Sequence, residues 1–424
     1  MDISKLAQDV LAYAGQGQGM GQTLAAGERR LREVLMQIGQ AALQLHTDQD
    51  QRRGYEGCSR VCTCGKDQKF VGHRLRTIET LLGPVSLTRA YYHCRHCGQS
   101  HVPFDQAEGL GRLQVSVPLA QVVVELTDTL PFGQAQMKLE VLLGRRLSAS
   151  SMGRITQKVG SFAAAVEEEA ADQVKIDRSA LAAMEVGRLY IYADGAMVHH
   201  LKDWQETKAL QCRWQDAKEN WHARHLCRNE KVPAFDALAW ACMHGCGLDN
   251  ARQSVLLGDG IPWIWNHLGP LADEAIQILD WYHAKEHLWG LAKALEGEGT
   301  LACHELLKEL EALLWDSRLE ELVALLENRR KHLRSVPKRA AVDELLGYLT
   351  THRVRMDYKK YREMGLEIGS GPIEGDCKNL IHARMKRGSP RWSDQGCQAM
   401  LSLRCCHANN QRAPLWSRKP LLAA

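Results

Sequence analysis

The sequence predicts an α/β core, flanked by helical segments and preceded by a cysteine-rich β module. Three observations lead there. From Leu189 onward, short apolar runs alternate with a helical stretch, the pattern of a sheet with parallel members. Five cysteines crowd between Cys58 and Cys97, around a strand-like run Val85–Tyr92 that follows a Gly83-Pro84 turn. Between these regions, and again from Ala284, the apolar spacing is helical.

Composition sets the outer limits. The 424 residues suffice for two or three domains. With 45% hydrophobic and 25% charged residues, disorder, collagen and a coiled-coil rod are excluded. No apolar run approaches the roughly 18 residues of a membrane span. Asp2 comes early and no basic segment precedes a long apolar run, so no signal peptide is expected. The net charge is +4, but residues 375–424 hold nine Lys/Arg against two Asp, giving +7 there and −3 elsewhere. That asymmetry fits a polyanionic partner, or a merely solvated basic tail. Fourteen cysteines in so long a chain argue against a disulfide framework, which belongs to short secreted scaffolds. Scattered ones such as Cys242, Cys303 and Cys397 read as buried reduced thiols, consistent with the cytoplasm.

The elements follow in order. Helical spacing covers Leu6 to Leu45, interrupted by a Gly-rich patch at Gly15–Gly21. After the cysteine module, helix returns from Val115 to Ala171. Ala135–Leu143 and Ser150–Val159 read as two short helices joined through Gly144, with Ser148 or Ser150 as cap, the outline of a helix-turn-helix. Strands are expected at Leu189–Ala193, Thr207–Trp214, His222–Cys227, Ser254–Leu257 and Ala275–Leu279, with a helix at Ala234–Cys246. Residues from Ala284 to Thr351 are helical, and a last helical region runs from Pro372 to Asn409. The resulting division is 1–50 helical, 51–110 cysteine module, 111–184 helical, 185–290 first part of the core, 291–360 helical insertion and 361–424 a final helix with the basic C-terminal region.

Three apolar strands are each expected to end in an Asp: Asp194, Asp259 and Asp280. Ligands of open α/β sheets gather at strand ends, although a single strand-end Asp is more often a turn former or a cap. Glu374 follows Gly369-Ser370-Gly371-Pro372, with Pro at a first helical position, so it falls in the first turn of a helix. Clustered carboxylates repel unless a cation lies among them. Hard oxygen donors suit Mg²⁺ or Mn²⁺, and two such ions clamp the attacking and leaving oxygens of a phosphodiester.

Four stretches occur in order: Tyr192-Ala193-Asp194-Gly195; Leu257-Gly258-Asp259-Gly260-Ile261-Pro262-Trp263; Asp280-Trp281-Tyr282-His283; and Gly369-Ser370-Gly371-Pro372-Ile373-Glu374. With Arg384-Met385-Lys386-Arg387 and Arg391-Trp392-Ser393, they resemble bacterial insertion-sequence transposases of the ISKra type, distant relatives of Mutator-like transposases, over about Cys62 to Asn410. The resemblance implies an RNase H-like catalytic core with a mostly helical insertion, behind a zinc-ribbon-like module and a helical DNA-binding region. It implies an Asp-Asp-Glu triad of Asp194, Asp259 and Glu374, with Asp280 and His283 in an Asp-x-x-His signature. Asp280 then joins the metal-binding residues, and His283 orients a phosphate or a metal-bound water.

The cysteine module holds Cys94-x-x-Cys97-Gly98, a good half of a zinc knuckle, and Cys62-x-Cys64-Gly65, with a shorter spacing. Cys62, Cys64, Cys94 and Cys97 would make a four-cysteine Zn²⁺ site. Cys58 is an alternative to Cys62, and His93 or His96 could intrude. Of Trp263, Trp265, Trp281 and Trp289, most are expected in the core, leaving one or two to stack on an unpaired base. Lys378, Arg384, Lys386, Arg387 and Arg391 are expected to contact DNA phosphates. The functional expectation is therefore a DNA transposase, acting as a homo-oligomer on element ends and target DNA, with no membrane and no small-molecule substrate. A non-catalytic DNA-binding derivative and a metal-dependent nuclease of the same fold are the other readings.

Overall fold

The computed structural model describes residues 3–16, 23–177, 186–216 and 218–418. The chain forms two compact units, Met1–Phe162 with Ala413–Ala424, and Ala163–Arg412.

The first unit opens with helices α1 (Ile3–Gly15) and α2 (Leu24–Asp48). The Gly-rich patch between them lies mostly outside the described residues. Thr23 caps α2 by accepting the Ala26 N–H at 3.2 Å. Strands β1 (Ser59–Val61), β2 (Asp67–Glu79), β3 (Pro84–His93) and β4 (Ser100–His101) then pair antiparallel in sequence order. In β3 the apolar residues Val85 and Leu87 alternate with polar ones, and pack with Ile78 and with Phe104 of helix α3 (Pro103–Ala107). Arg76 and Arg89 both reach the Asp105 carboxylate at 2.8 Å, so these largely buried charges are paired.

Helices α4 (Val117–Thr129) and α5 (Phe132–Leu143) follow, and α5 ends at Gly144 with φ 63°, a left-handed stop that suits glycine. The Ser148 hydroxyl accepts the Ser151 N–H at 3.1 Å and starts α6 (Ala149–Ile176). The predicted pair of helices exists, but the second has 28 residues instead of ending near Val159. The apolar spacing Ile155, Val159, Ala163 continues with no proline to stop it, and all three are buried, which outweighs Gly160.

The second unit is built on a five-stranded sheet. Its strands are β5 (Val186–His199), β6 (Trp204–Gln215), β7 (Trp221–Arg228), β8 (Ala251–Gly258) and β9 (Ile276–Leu279), in the order β7-β6-β5-β8-β9. β5, β6 and β7 pair antiparallel, whereas β8 runs parallel to β5 and β9 parallel to β8. Helix α7 (Val232–Gly245) connects β7 to β8, and the short α8 (Gly269–Leu271) precedes β9. The expected boundary at residue 184/185 lies outside the described residues.

Beyond the sheet come α9 (Trp281–Glu296), α10 (Leu301–Trp315), α11 (Leu319–His332), α12 (Val336–His352) and α13 (Tyr358–Glu363). Next are α14 (Gly371–Asp376), a widened π turn Cys377–His382, and α15 (Ala383–Met385), which together form one helical run. The chain ends in α16 (Asp394–Ala408) and α17 (Arg412–Ser417).

Two expectations need correction. The first core strand does not end at Asp194-Gly195. It continues to His199, because β6 pairs with it through to Trp204 and holds it extended. The last helical region is interrupted as well, where Gly388 and Pro390 in the sequence already favour an earlier end. It breaks after Met385, where Gly388 and Ser389 have φ of 79° and 51°. The break is pinned by Trp392, whose backbone N–H donates to the His199 carbonyl and whose carbonyl accepts the Leu201 N–H at 2.9 Å.

Candidate functional site

The sheet register aligns the predicted aspartates. Ala193 of β5 lies beside Gly258 of β8, and Gly258 lies beside Leu279 of β9. Asp194, Asp259 and Asp280 each come one residue after that row, on strands spaced about 4.8 Å apart. The packing at the row is tight. A β-carbon on Gly258 would meet the Ala193 carbonyl at 3.1 Å and Ile264 at 3.0 Å. A side chain at Gly195 would run into the Glu206 carboxylate, so this glycine serves close approach and not a turn.

The three aspartates differ in their surroundings. Asp194 accepts its neighbour's N–H from Gly195 at 2.7 Å, and the Cys377 thiol of the overlying helical run faces it. Asp259 heads a loop and accepts the Ile261 N–H at 2.9 Å. Burial pushes its carboxyl up to about 6, and the nearby Asp194 and Glu206 carboxylates add to the effect. Asp280 is fully buried and caps α9. Its Oδ1 accepts the His283 N–H at 2.7 Å and its Oδ2 accepts the Ser370 N–H at 2.5 Å. Burial opposes its charge, yet these hydrogen bonds outweigh it and hold the carboxyl below the usual range. Both Asp280 oxygens are thus committed to backbone, which makes it a fastener between α9 and the turn that opens α14.

His283 lies 3.2 Å from Asp280 through Nδ1. The Asp280 hydrogen bond pushes it up to about 9 against a burial penalty, and the Asp259 charge contributes. A positively charged imidazolium therefore faces the Asp259 carboxylate at neutral pH. Glu374 is exposed on α14, with its Oε1 3.2 Å from the Ser370 hydroxyl. Asp194, Asp259 and Glu374 do not present ligand atoms that all lie within 4.8 Å of one another. The first two are neighbours, and Glu374 stands one turn before Cys377 on the run that packs over β5 and β6.

That run is anchored by Asp376, whose Oδ2 is 2.5 Å from His225 Nδ1 and accepts the Gln211 amide at 2.9 Å. Arg404 secures it further by donating to the Asn379 and Leu380 carbonyls at 2.6 Å. Tyr348 and His352 of α12 lie against Gly260, where a β-carbon would be 3.0 Å from the Tyr348 ring and 3.4 Å from His352 Nε2. Burial drives His352 down to about 4, so it faces the loop uncharged. Sequence reasoning missed these two and Glu206. The i, i+4 Tyr348/His352 pair was a weak signal, whereas Glu206 depends on hairpin register and gave none.

The basic residues divide. Lys378, Lys386, Arg387 and Arg391 are exposed, but Arg384 is buried, with its guanidinium over the Trp392 ring at 5.0 Å. It cannot serve as a surface phosphate contact. The four exposed residues do not share one helix face either, since the helical run ends at Met385. Trp263, Trp265 and Trp281 are buried, as expected for core residues. Trp289 is half-exposed and carries the Lys293 ammonium 3.3 Å from its ring centre.

In the first unit, Cys62, Cys64, Cys94 and Cys97 converge, with all four sulfurs within 4.8 Å of one another. Cys62 and Cys97 are 3.5 Å apart, and Cys64 and Cys94 3.7 Å. Four sulfurs about 2.3 Å from a central zinc would be roughly 3.8 Å apart. Gly65 and Gly98, at φ 77° and 73°, close the two turns through N–H bonds to the Cys62 and Cys94 carbonyls at 2.9 Å. The Cys64 N–H points at the Cys62 sulfur and lowers that thiol to about 6. These four cysteines can hold a metal ion, in an arrangement compatible with zinc. Cys58 and the histidines stand outside the group; His93 Nδ1 instead meets the Ser100 hydroxyl at 3.1 Å.

No helix among the described residues is long and apolar enough to cross a membrane. No curated protein matches the chain. A family model does, over residues 65–419, and on that match the chain belongs to UPF0236, an uncharacterised protein family.

Proposed function

We propose that this protein is a DNA transposase with an RNase H-like core, cutting insertion-sequence ends and joining the 3′ hydroxyl to target DNA. The observation that carries the reading is the pairing of Asp194 and Asp259 on adjacent parallel strands, one residue beyond a shared row, with Asp259 held partly protonated by burial and its neighbour. Like-charge crowding of that kind is what a divalent cation relieves, so the Asp194–Asp259 pair suits Mg²⁺ or Mn²⁺. Asp194, Asp259 and Glu374 would hold it. When bound, the ion supplies Lewis-acid polarisation of the phosphodiester and a more acidic attacking water.

The chain's own groups do the rest. The His283 imidazolium offers a fixed cation beside Asp259 for a phosphate oxygen. Asp280 sets the Ser370 turn, and through it the start of the Glu374 helix. Exposed Lys378, Lys386, Arg387 and Arg391 neutralise DNA phosphates near the same helix. The four-cysteine site takes Zn²⁺ and stiffens a module that recognises element ends, with the α5–α6 pair beside it in sequence. The protein works as a homo-oligomer on DNA in the cytoplasm, where its thiols stay reduced.

The test uses DNA from either side of this reading frame, searched first for terminal inverted repeats. Asp194→Ala, Asp259→Ala and Glu374→Ala should each abolish cleavage in Mg²⁺ while end binding persists. An Asp259→Ala protein that still cuts at near wild-type rate would refute the assignment.

A further inference from the structure

A second group of cysteines lies in the second unit, unrelated to the carboxylates. Cys212 of β6, Cys242 of α7 and Cys246, the residue that caps the C-terminus of α7, bring their sulfurs within 4.8 Å of one another. The convergence follows from the fold. Cys242 and Cys246 are four apart and share a helix face, and α7 packs on β6 and β7. Cys212 lies opposite Arg224 in the β6–β7 ladder, so both project to the side of the sheet that α7 covers.

Cys212 and Cys246 are fully buried, whereas Cys242 is only partly covered and lines a cavity of about 200 Å³. Glu167, Arg224 and His225 line the same cavity. Arg224 and Cys242 line the cavity together, which brings the guanidinium charge close to the three thiols.

We infer that Cys212, Cys242 and Cys246 form a second zinc site, a three-thiolate centre whose fourth position opens to the cavity and takes a water. Three donors leave a tetrahedral ion one ligand short, and a cavity of this size has room for a water molecule at that position. Charge fits as well. Three thiolates around Zn²⁺ leave one negative charge, the Arg224 guanidinium on the same face offsets it, and burial pushes the Glu167 carboxyl of the same cavity up to about 7, which limits the negative charge it adds. Three reduced thiols packed merely as small apolar side chains would need no cation beside them. On binding, three zinc–sulfur bonds replace zinc–water bonds, the thiol protons and the displaced waters pass to solvent, and no oxidation state changes. The site is independent of the DNA chemistry proposed above.

Zinc counted in full-length protein purified without chelator tests the inference. Wild type should carry two zinc ions per chain, Cys242→Ala one, Cys94→Ala one, and the double variant none. Cys242 is the least buried of the three thiols, so its alanine variant is the least disruptive, and its melting curve checks folding. A thiol reagent added to wild type should release zinc in two steps, one of them absent in Cys242→Ala. A single zinc in well-folded wild type, removed by Cys94→Ala and untouched by Cys242→Ala, would overturn the site. So would uptake of copper(I) but not zinc by the Cys94→Ala protein.

Discussion

Asp259 bears a cost that its neighbours do not. Its carboxyl is raised to about 6 by burial and by Asp194, against an ordinary value of 3.8. A group whose folded value lies above its unfolded one binds more protons in the native state between the two. Stability therefore falls as pH rises from about 4 to about 6, and the charged form stays unfavourable at neutral pH. The full shift would correspond to about 3 kcal/mol, reduced to about 1–2 kcal/mol by solvent screening at a carboxyl still partly open to water. Asp259→Asn should thus melt higher than wild type at pH 7 without divalent cation, with the gap closing toward pH 4. Mg²⁺ should raise the melting temperature of wild type and not of the variant. A pH-independent gap would mean that the burial argument fails. Asp280 behaves in the opposite way, because its charge is used. Asp280→Ala leaves the Ser370 and His283 N–H groups without their acceptor, and should cost about 2–4 kcal/mol in thermal or denaturant melts.

At the scale of elements, the two turns of the cysteine module show what a metal would do. Cys62 and Cys64 follow β1, while Cys94 and Cys97 join β3 to β4, so one ion ties both ends of the four-stranded sheet. Loss of this ion alone, through Cys94→Ala, should raise amide exchange across residues 59–101 while β5, β8 and β9 keep their protection. Equal loosening of both units would contradict a local role. The same scale explains what the sequence could and could not reveal. Strand β3 was legible because Val85 and Leu87 alternate with polar residues, and the Asp259 turn because Gly258-Asp259-Gly260 follows four buried aliphatic or small residues. The extension of β5 through Asp194 to His199 was not, since it depends on a partner strand and Gly195 resembles a turn residue. Arg384 misled for a related reason. Its basic neighbours Lys386 and Arg387 are exposed, and only the fold of the loop through Trp392 puts its own guanidinium inside. Glu374 was placed in the first turn of a helix correctly, but its distance from Asp194 is a tertiary property that spacing does not contain.

At the scale of the whole molecule, charge is unevenly spread, with +7 over residues 375–424 and −3 elsewhere. Burial narrows which of those charges are open to the proposed DNA partner. Lys378, Lys386, Arg387 and Arg391 face solvent, and Arg384 does not. Removing one cation that neutralises a phosphate should flatten the log–log salt dependence of duplex binding by about 0.9. Replacing Lys386 and Arg387 by alanine should therefore lower the slope by roughly two and weaken binding to element-end and random duplexes alike. Arg384→Ala should do the reverse. It removes a buried side chain that packs on Trp392, so stability should fall by about 2–4 kcal/mol while the salt slope of the remaining folded protein is unchanged. Affinity against salt, measured alongside melting for both variants, separates the two roles. Electrostatic attraction without sequence preference is expected from exposed cations that meet the phosphate backbone and do not read base edges. Weakening confined to element-end DNA in the Lys386/Arg387 variant would instead show that this loop reads bases, and would move sequence recognition from the cysteine module to the segment after the Glu374 helix.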